Sequence, residues 1–195
     1  ITEFDEVLVK HFLDSLCCVK AVDMGKIKTV MDIGTGAGFP GVPLKIAFPE
    51  VEACLLDSLN KRVKFLEETF ALLGLEGISA IHGRAEEYAK NKAYREKYDL
   101  CVSRAVSGLA TLSEYCLPYV KVGVLFVSYK SGSVKEEAEA AEKAVKILGG
   151  KIRDIQYFDL PGSEIGRSLV IIEKVKNTPG KYPRKAGTPL REPLA

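Results

Sequence analysis

No stretch of this sequence stays apolar for the roughly 20 residues that a membrane-spanning helix requires, and no signal-peptide pattern opens it. The sequence also lacks paired cysteines. Cys17, Cys18, Cys54, Cys101 and Cys116 are odd in number, lie in apolar surroundings and follow no metal-ligand spacing. They predict buried free thiols of a protein in the reducing cytoplasm, with no zinc and no other metal. There is no internal repeat, and no composition break that would divide residues 1–195 before the last twenty. What remains is a chain of 195 residues, 47% hydrophobic and 28% charged, that can bury one core as a single domain without disulfides or metals. Its first residue is Ile1 rather than Met, and we expect the natural chain to begin upstream.

Net charge is also small, at +2, but it is unevenly spread. Residues 174–195 carry Lys174, Lys176, Lys181, Arg184, Lys185 and Arg191 against Glu192 alone, so the positive charge is local. Pro179, Pro183, Pro189 and Pro193, with Gly180 and Gly187, predict that residues 176–195 are extended, pinned or ordered on binding rather than helical. Charge alone leaves two readings of the tail open, a solubilising end or a polyanion contact.

Runs rich in β-branched residues at 27–33, 52–57, 78–82, 98–104, 122–129, 152–158 and 168–174 predict strands, most of them buried on both faces. Helical patterns at 42–48, 60–73, 85–92, 108–117 and 133–148 alternate with them, and an amphipathic helix over 3–18 comes first. Such alternation predicts an α/β fold with a doubly wound, mostly parallel sheet of seven strands and helices on both faces. The last two strands are separated by a short Pro161-Gly162 loop, too short for a parallel crossover. They predict an antiparallel C-terminal hairpin at the sheet edge.

The most informative segment is Val30-Met-Asp-Ile-Gly-Thr-Gly-Ala-Gly-Phe-Pro-Gly41, an apolar strand followed by Gly34, Gly36, Gly38 and Gly41. Glycines tolerate positive φ and admit a ligand against the backbone, and the next helix offers free N–H groups. Gly36, Gly38 and Gly41 match a dinucleotide spacing formally, but in the register that begins at Gly34 the strand ends in Asp32. A carboxylate there disfavours a pyrophosphate and favours a cationic or hydrogen-bonding ligand such as S-adenosylmethionine. Asp57 ends the second strand 23 residues beyond Gly34, where a carboxylate accepts ribose hydroxyls in either cofactor class. Arg84-Ala85-Glu86 follows the third strand, where an adenine-contacting loop belongs. An edge hairpin, and no second domain for a hydride acceptor, favour a class I methyltransferase.

Taken together, the residues resemble the bacterial 16S ribosomal RNA guanine-N7 methyltransferase family RsmG, also called glucose-inhibited division protein B (GidB). The resemblance rests on Lys10-His11-Phe12-Leu13-Asp14-Ser15-Leu16, DIGTGAGFPGVPLKI from Asp32, LLDSLNKRVKFLE from Leu55, GRAEE from Gly83, SRAV from Ser103 and NTPGKYPRKAGTPLREPL from Asn177. It implies a Rossmann-like, S-adenosylmethionine-dependent enzyme of the cytoplasm that methylates N7 of one guanine in the 530-loop region of 16S RNA. Its partner would be 16S RNA or the 30S subunit, and we expect it to act as a monomer. Carried onto this chain, the resemblance puts the cofactor on Gly34 and Phe39, with Gly36 and Gly38 in the same loop, and on Asp57, Ser58, Ala85, Glu86 and Arg104. Arg104 ends an apolar strand, so it either pairs with Asp99 or Glu114 or positions cofactor or substrate.

Guanine N7 has a lone pair and no proton, so no catalytic acid or base is expected. Lys181, Arg184, Lys185 and Arg191, with Tyr182 for stacking, form the expected RNA-binding patch, and Lys10 and His11 extend it. Lys130 or Arg104 is placed to touch guanine O6 or a phosphate. His11, Asp14 and Ser15 share one helical face and read equally as a local hydrogen-bonded cluster; no nucleophile turn precedes Ser15. Two other functions fit less well, a methyltransferase for a small molecule and a non-catalytic ribosome-binding module. The basic tail argues against the first and the intact glycine loop against the second.

Overall fold

The computed structural model describes residues 3–194, so Ile1, Thr2 and Ala195 of the expected 1–195 unit lie outside the described residues. The apolar runs become β1 (Thr29–Ile33), β2 (Glu52–Asp57), β3 (Ile78–His82), β4 (Tyr98–Arg104), β5 (Val120–Ser131), β6 (Gly150–Asp159) and β7 (Gly166–Lys174). They form one seven-stranded sheet in the order β3-β2-β1-β4-β5-β7-β6. β1 to β5 run parallel, and β7 lies antiparallel between β5 and β6. The expected mostly parallel sheet with a C-terminal hairpin is therefore what forms. The strand order reverses between β1 and β4, which opens a crevice at the carboxyl ends of the parallel strands.

The helices are α1 (Phe4–Val7), α2 (Asp14–Leu16), α3 (Gly41–Ala47), α4 (Asn60–Leu73), α5 (Ala85–Tyr88), α6 (Leu109–Cys116), α7 (Lys135–Ile147) and α8 (Thr188–Arg191). Strand alternation splits the core between two faces. Met31 and Ile33 pack with Cys101 and Phe126 beneath Leu109, Leu112 and Ala141 of α6 and α7. Val30, Leu100 and Val127 pack under Leu44 and Cys18, and Leu55 under Leu66 and Phe70 of α4. Among the described residues, no helix is long and apolar enough to cross a membrane.

Several boundaries differ from expectation, each for a local reason. Ile27 and Lys28 precede β1, because the Asp99 carboxylate takes the N–H groups of Lys28 and Thr29 at 3.1 and 3.0 Å. The helix expected over 85–92 stops at Tyr88. There the Asn91 side chain accepts from the Ala93 N–H, and Arg95 Nη1 takes the Ala89 carbonyl, so side chains outcompete the helical ladder. β5 runs on to Ser131 because β7 pairs with it that far, Ser131 opposite Arg167. The expected 3–18 helix is irregular: a π-helical run, Leu8–Leu13, separates α1 from α2, and a 3-10 turn, Cys17–Lys20, ends it.

Candidate active site

The glycine loop leaves β1 with Gly34 and Gly36 at φ +71° and +63°. At Gly34 the chain is also tightly covered, since a Cβ there would lie 2.5 Å from Val106 Cγ2. Asp32, expected to meet a cationic ligand, is instead fully buried beneath the loop. Its Oδ2 accepts the Thr35 hydroxyl at 2.7 Å and the Gly41 N–H at 2.9 Å, which fixes the loop's shape. Its Oδ1 has no partner among the described residues, and burial pushes its carboxyl up to about 6.

Asp57 ends β2 and fastens the other side of the loop. Oδ2 accepts the Gly36 N–H at 2.9 Å and Arg62 Nη1 at 3.2 Å, while Oδ1 accepts the Leu59 N–H at 2.9 Å at the entry to α4. Beyond it lies a cleft of about 190 Å³ whose walls include Gly34, Ser58, Ala85 and Glu86, four of the nine residues predicted to contact cofactor. Gly36 and Asp57 adjoin it through their hydrogen bond. Gly38 does not line it: Val42 and Leu66 crowd the position a Cβ would take, so this glycine serves packing. Val106, Tyr115 and Leu190 are also in the walls, and none of them was predicted. Tyr115 reads as a core residue in an amphipathic helix, and no local signal marks Leu190.

Phe39 and Arg104 lie on the other side of the loop that follows β4. Arg104 Cζ sits 5.3 Å from the centroid of Phe39, whose ring also faces His11 at 5.2 Å. The partner of Arg104 is neither Asp99 nor Glu114 but the buried Asp14, 3.0 Å away. Asp99 lies at the opposite end of β4, about 17 Å of strand away, and pairs with Lys121. Asp14 also accepts from Arg167 Nε at 3.2 Å, and the Tyr129 hydroxyl donates to the Ser15 carbonyl at 2.7 Å. His11, Asp14 and Ser15 thus form a hydrogen-bonded cluster that holds Arg104. The His11 imidazole is pushed below its usual range, by burial first and by Arg104 second, so it is neutral at pH 7, and its Nδ1 has no partner among the described residues.

His11, Asp14, Arg104 and Tyr129 line a second cavity, of about 580 Å³, with Lys10, Lys130 and Arg167. Lys130 is already engaged there, by the Ser107 carbonyl at 2.9 Å and Glu137 at 2.7 Å. Ala105 lines this cavity while Val106 and Ser107 line the cleft, so three consecutive residues form a wall common to both. Ala105 holds φ +55°, a conformation that costs a non-glycine residue on the order of 1 kcal/mol. The cavity has four cationic side chains against the carboxylates of Asp14 and Glu137. It suits an anionic or hydrogen-bond-accepting group.

The basic tail is pinned rather than free, and this corrects part of the expected RNA patch. Arg184 grips the fully buried Glu114 through Nε at 3.0 Å and Nη2 at 2.7 Å, and its own N–H donates to the same carboxylate at 2.7 Å. Its guanidinium therefore serves the fold, because an unpaired carboxylate buried at Glu114 would be costly. Tyr182 is buried and not available for stacking. Lys181, Lys185 and Arg191 remain exposed on one strap.

The chain matches a family model described as GidB: rRNA small subunit methyltransferase G over residues 1–165, which leaves the strap outside the match. It is 54% identical to the ribosomal RNA small subunit methyltransferase G of Lachnoclostridium phytofermentans, over 100% of this chain and 80% of that protein. Among solved structures it resembles a StiE O-MT segment, residues 961–1257, with a TM-score of 0.66 at 16% identity, over 87% of this chain and 75% of that one. It is also similar to the S-adenosylmethionine-dependent methyltransferase SibL, with a TM-score of 0.62 at 16% identity, over 84% of this chain and 55% of that one. The structural likenesses establish the methyltransferase fold, and the sequence matches go further: this chain belongs to the GidB family, rRNA small subunit methyltransferase G.

Proposed function

We propose that the protein methylates N7 of a guanine in the 16S RNA of the small ribosomal subunit, with S-adenosylmethionine as cofactor. One observation carries the reading: the cleft lined by Gly34, Ser58, Ala85 and Glu86 and the cationic cavity adjoin across the consecutive residues Ala105–Ser107, at the carboxyl ends of β1 and β4. Gly34, Ser58, Ala85 and Glu86 would hold the adenosine half of the cofactor. The open space beside Gly36 leaves the loop backbone approachable, as a ligand lying against it requires. When bound, S-adenosylmethionine supplies an electrophilic methyl group on a sulfonium.

The residues of the chain supply position and charge. Guanine N7 offers an in-plane lone pair and carries no proton, so the reaction moves none, and the neutral His11 is not required as a base. Holding both reactants on one wall accounts for much of the rate, since fixed geometry is worth roughly 7–11 kcal/mol of barrier. Arg104 and Lys130 reach guanine O6 or a phosphate and leave N7 free; a fork that took O6 and N7 together would block the nucleophile. Arg104 is pre-set for this by Asp14 and Phe39. Lys181, Lys185 and Arg191 then meet phosphates outside the cavity. We also propose that it acts as a monomer, and a ribosomal RNA substrate supports a cytoplasmic location.

Labelled S-adenosylmethionine incubated with 30S subunits, naked 16S RNA and a pool of small metabolites tests the proposal. Label should enter 16S RNA at a single guanine that then becomes sensitive to cleavage specific for 7-methylguanine. Label confined to metabolites, or at another ring atom, would overturn it.

A further inference from the structure

The cofactor cleft has a wall contributed by the C-terminal strap. Leu190, on α8, lines it beside Glu86 and Tyr115, yet 62% of its surface remains exposed. Leu190 thus stands at the lip of the cleft, with apolar surface that a bound ligand could cover. It is also held deliberately. The Gly187 N–H donates to Glu86 Oε1 at 2.8 Å, Thr111 Oγ1 donates to the Pro189 carbonyl at 2.9 Å, and Arg184 Nη2 donates both to Glu114 and to the Glu192 carbonyl at 2.7 Å. The turn Gly187–Glu192 is therefore fastened on both sides of Leu190 to α5 and α6.

Glu86 has two tasks in this arrangement. Its Oε1 holds the strap, while Oε2 has no protein partner among the described residues and belongs to a residue of the cleft wall. A flat heteroaromatic ring with exocyclic N–H groups matches that surroundings, with an apolar face for Leu190 and Tyr115 and a donor for Glu86. We infer that the strap is part of the cofactor site, with Leu190 closing over the adenine ring and Glu86 joining strap docking to adenine binding. This inference rests on the cofactor assignment and not on the RNA target, and titrations without RNA separate the two.

Calorimetric titration of the full chain with S-adenosylhomocysteine, and with methylthioadenosine, which lacks the amino-acid end, tests it. Burying a leucine against a ligand is worth enough that Leu190→Asn should weaken both ligands alike, by about tenfold. Leu190→Met should stay within about twofold. Leu72→Asn, on the far-exposed surface of α4, should leave both affinities unchanged and controls for surface polarity. Wild-type affinity in Leu190→Asn would overturn the inference. A loss confined to S-adenosylhomocysteine would overturn the adenine assignment, because Leu190 would then face the amino-acid end.

Discussion

Two residues show how placement, rather than identity, sets the chemistry. An unfolded aspartate titrates near 3.9, whereas burial holds Asp32 at about 6 in the fold. Between those values the native chain keeps a proton that the unfolded chain has released. The stability tied to this group is therefore present below pH 4 and lost as pH rises through 6, by roughly 3 kcal/mol at most. Asp32→Asn keeps an acceptor for Thr35 and Gly41 but cannot ionise. Urea denaturation from pH 4 to pH 7 should show wild type losing about 2–3 kcal/mol relative to this variant; a pH-independent difference would contradict the buried, partnerless oxygen. Arg104 is the second case. Arg104→Gln leaves Asp14 with Arg167 alone, and should cost about 2 kcal/mol of unfolding free energy, less than the 3–5 typical of a wholly orphaned buried charge. Methyl transfer to RNA should fall by a further factor of about 100 if Arg104 also positions the base, which single-turnover kinetics would measure.

At the level of elements, the C-terminal strap divides one run of basic residues into two roles. Arg184 and Lys185 are neighbours with the same charge, yet one is locked to the buried Glu114 and the other is exposed. Arg184→Glu sets a second carboxylate against the fully buried Glu114 and removes its cation, and chemical denaturation should show a loss of about 3–5 kcal/mol. Lys185→Glu should leave stability within about 0.5 kcal/mol. It should instead weaken RNA binding and lower the slope of log affinity against log salt by about 1. Filter binding at several salt concentrations distinguishes the two. The irregular segment from α1 to the Cys17–Lys20 turn works the same way, since its exposed Phe4, Leu8 and Phe12 contrast with the buried Asp14 and Ser15 that hold Arg104.

Across the whole molecule, the free thiols report the integrity of the core. All five cysteines are buried, and burial raises the thiol of Cys18 up to about 12 and that of Cys54 above its usual range. The thiolate is the reactive form. A thiol reagent added to native protein at pH 8 should therefore find almost nothing to modify, and five equivalents should react once denaturant is added. A fast-reacting thiol in the native protein would mean that one face of the sheet opens easily. Cys18 would report the face under α3, and Cys101 and Cys116 the face under α6 and α7.

The sheet, the hairpin and the glycine loop were legible in the residues alone, because strand periodicity, loop length and glycine spacing are local signals. The shared neighbourhood of Gly34, Ser58, Ala85 and Glu86 was legible too, since successive strand ends in a doubly wound sheet meet at one crevice. Which charges pair was not. Arg104 with Asp14, Arg184 with Glu114 and Gly187 with Glu86 join residues 70 to 101 positions apart. Only packing brings such pairs within 3 Å, and a cation looks the same in sequence whether a buried carboxylate or solvent awaits it. For that reason the clasping of Arg184 onto Glu114, and the place of Leu190 on the wall of the cleft, emerge only from tertiary structure.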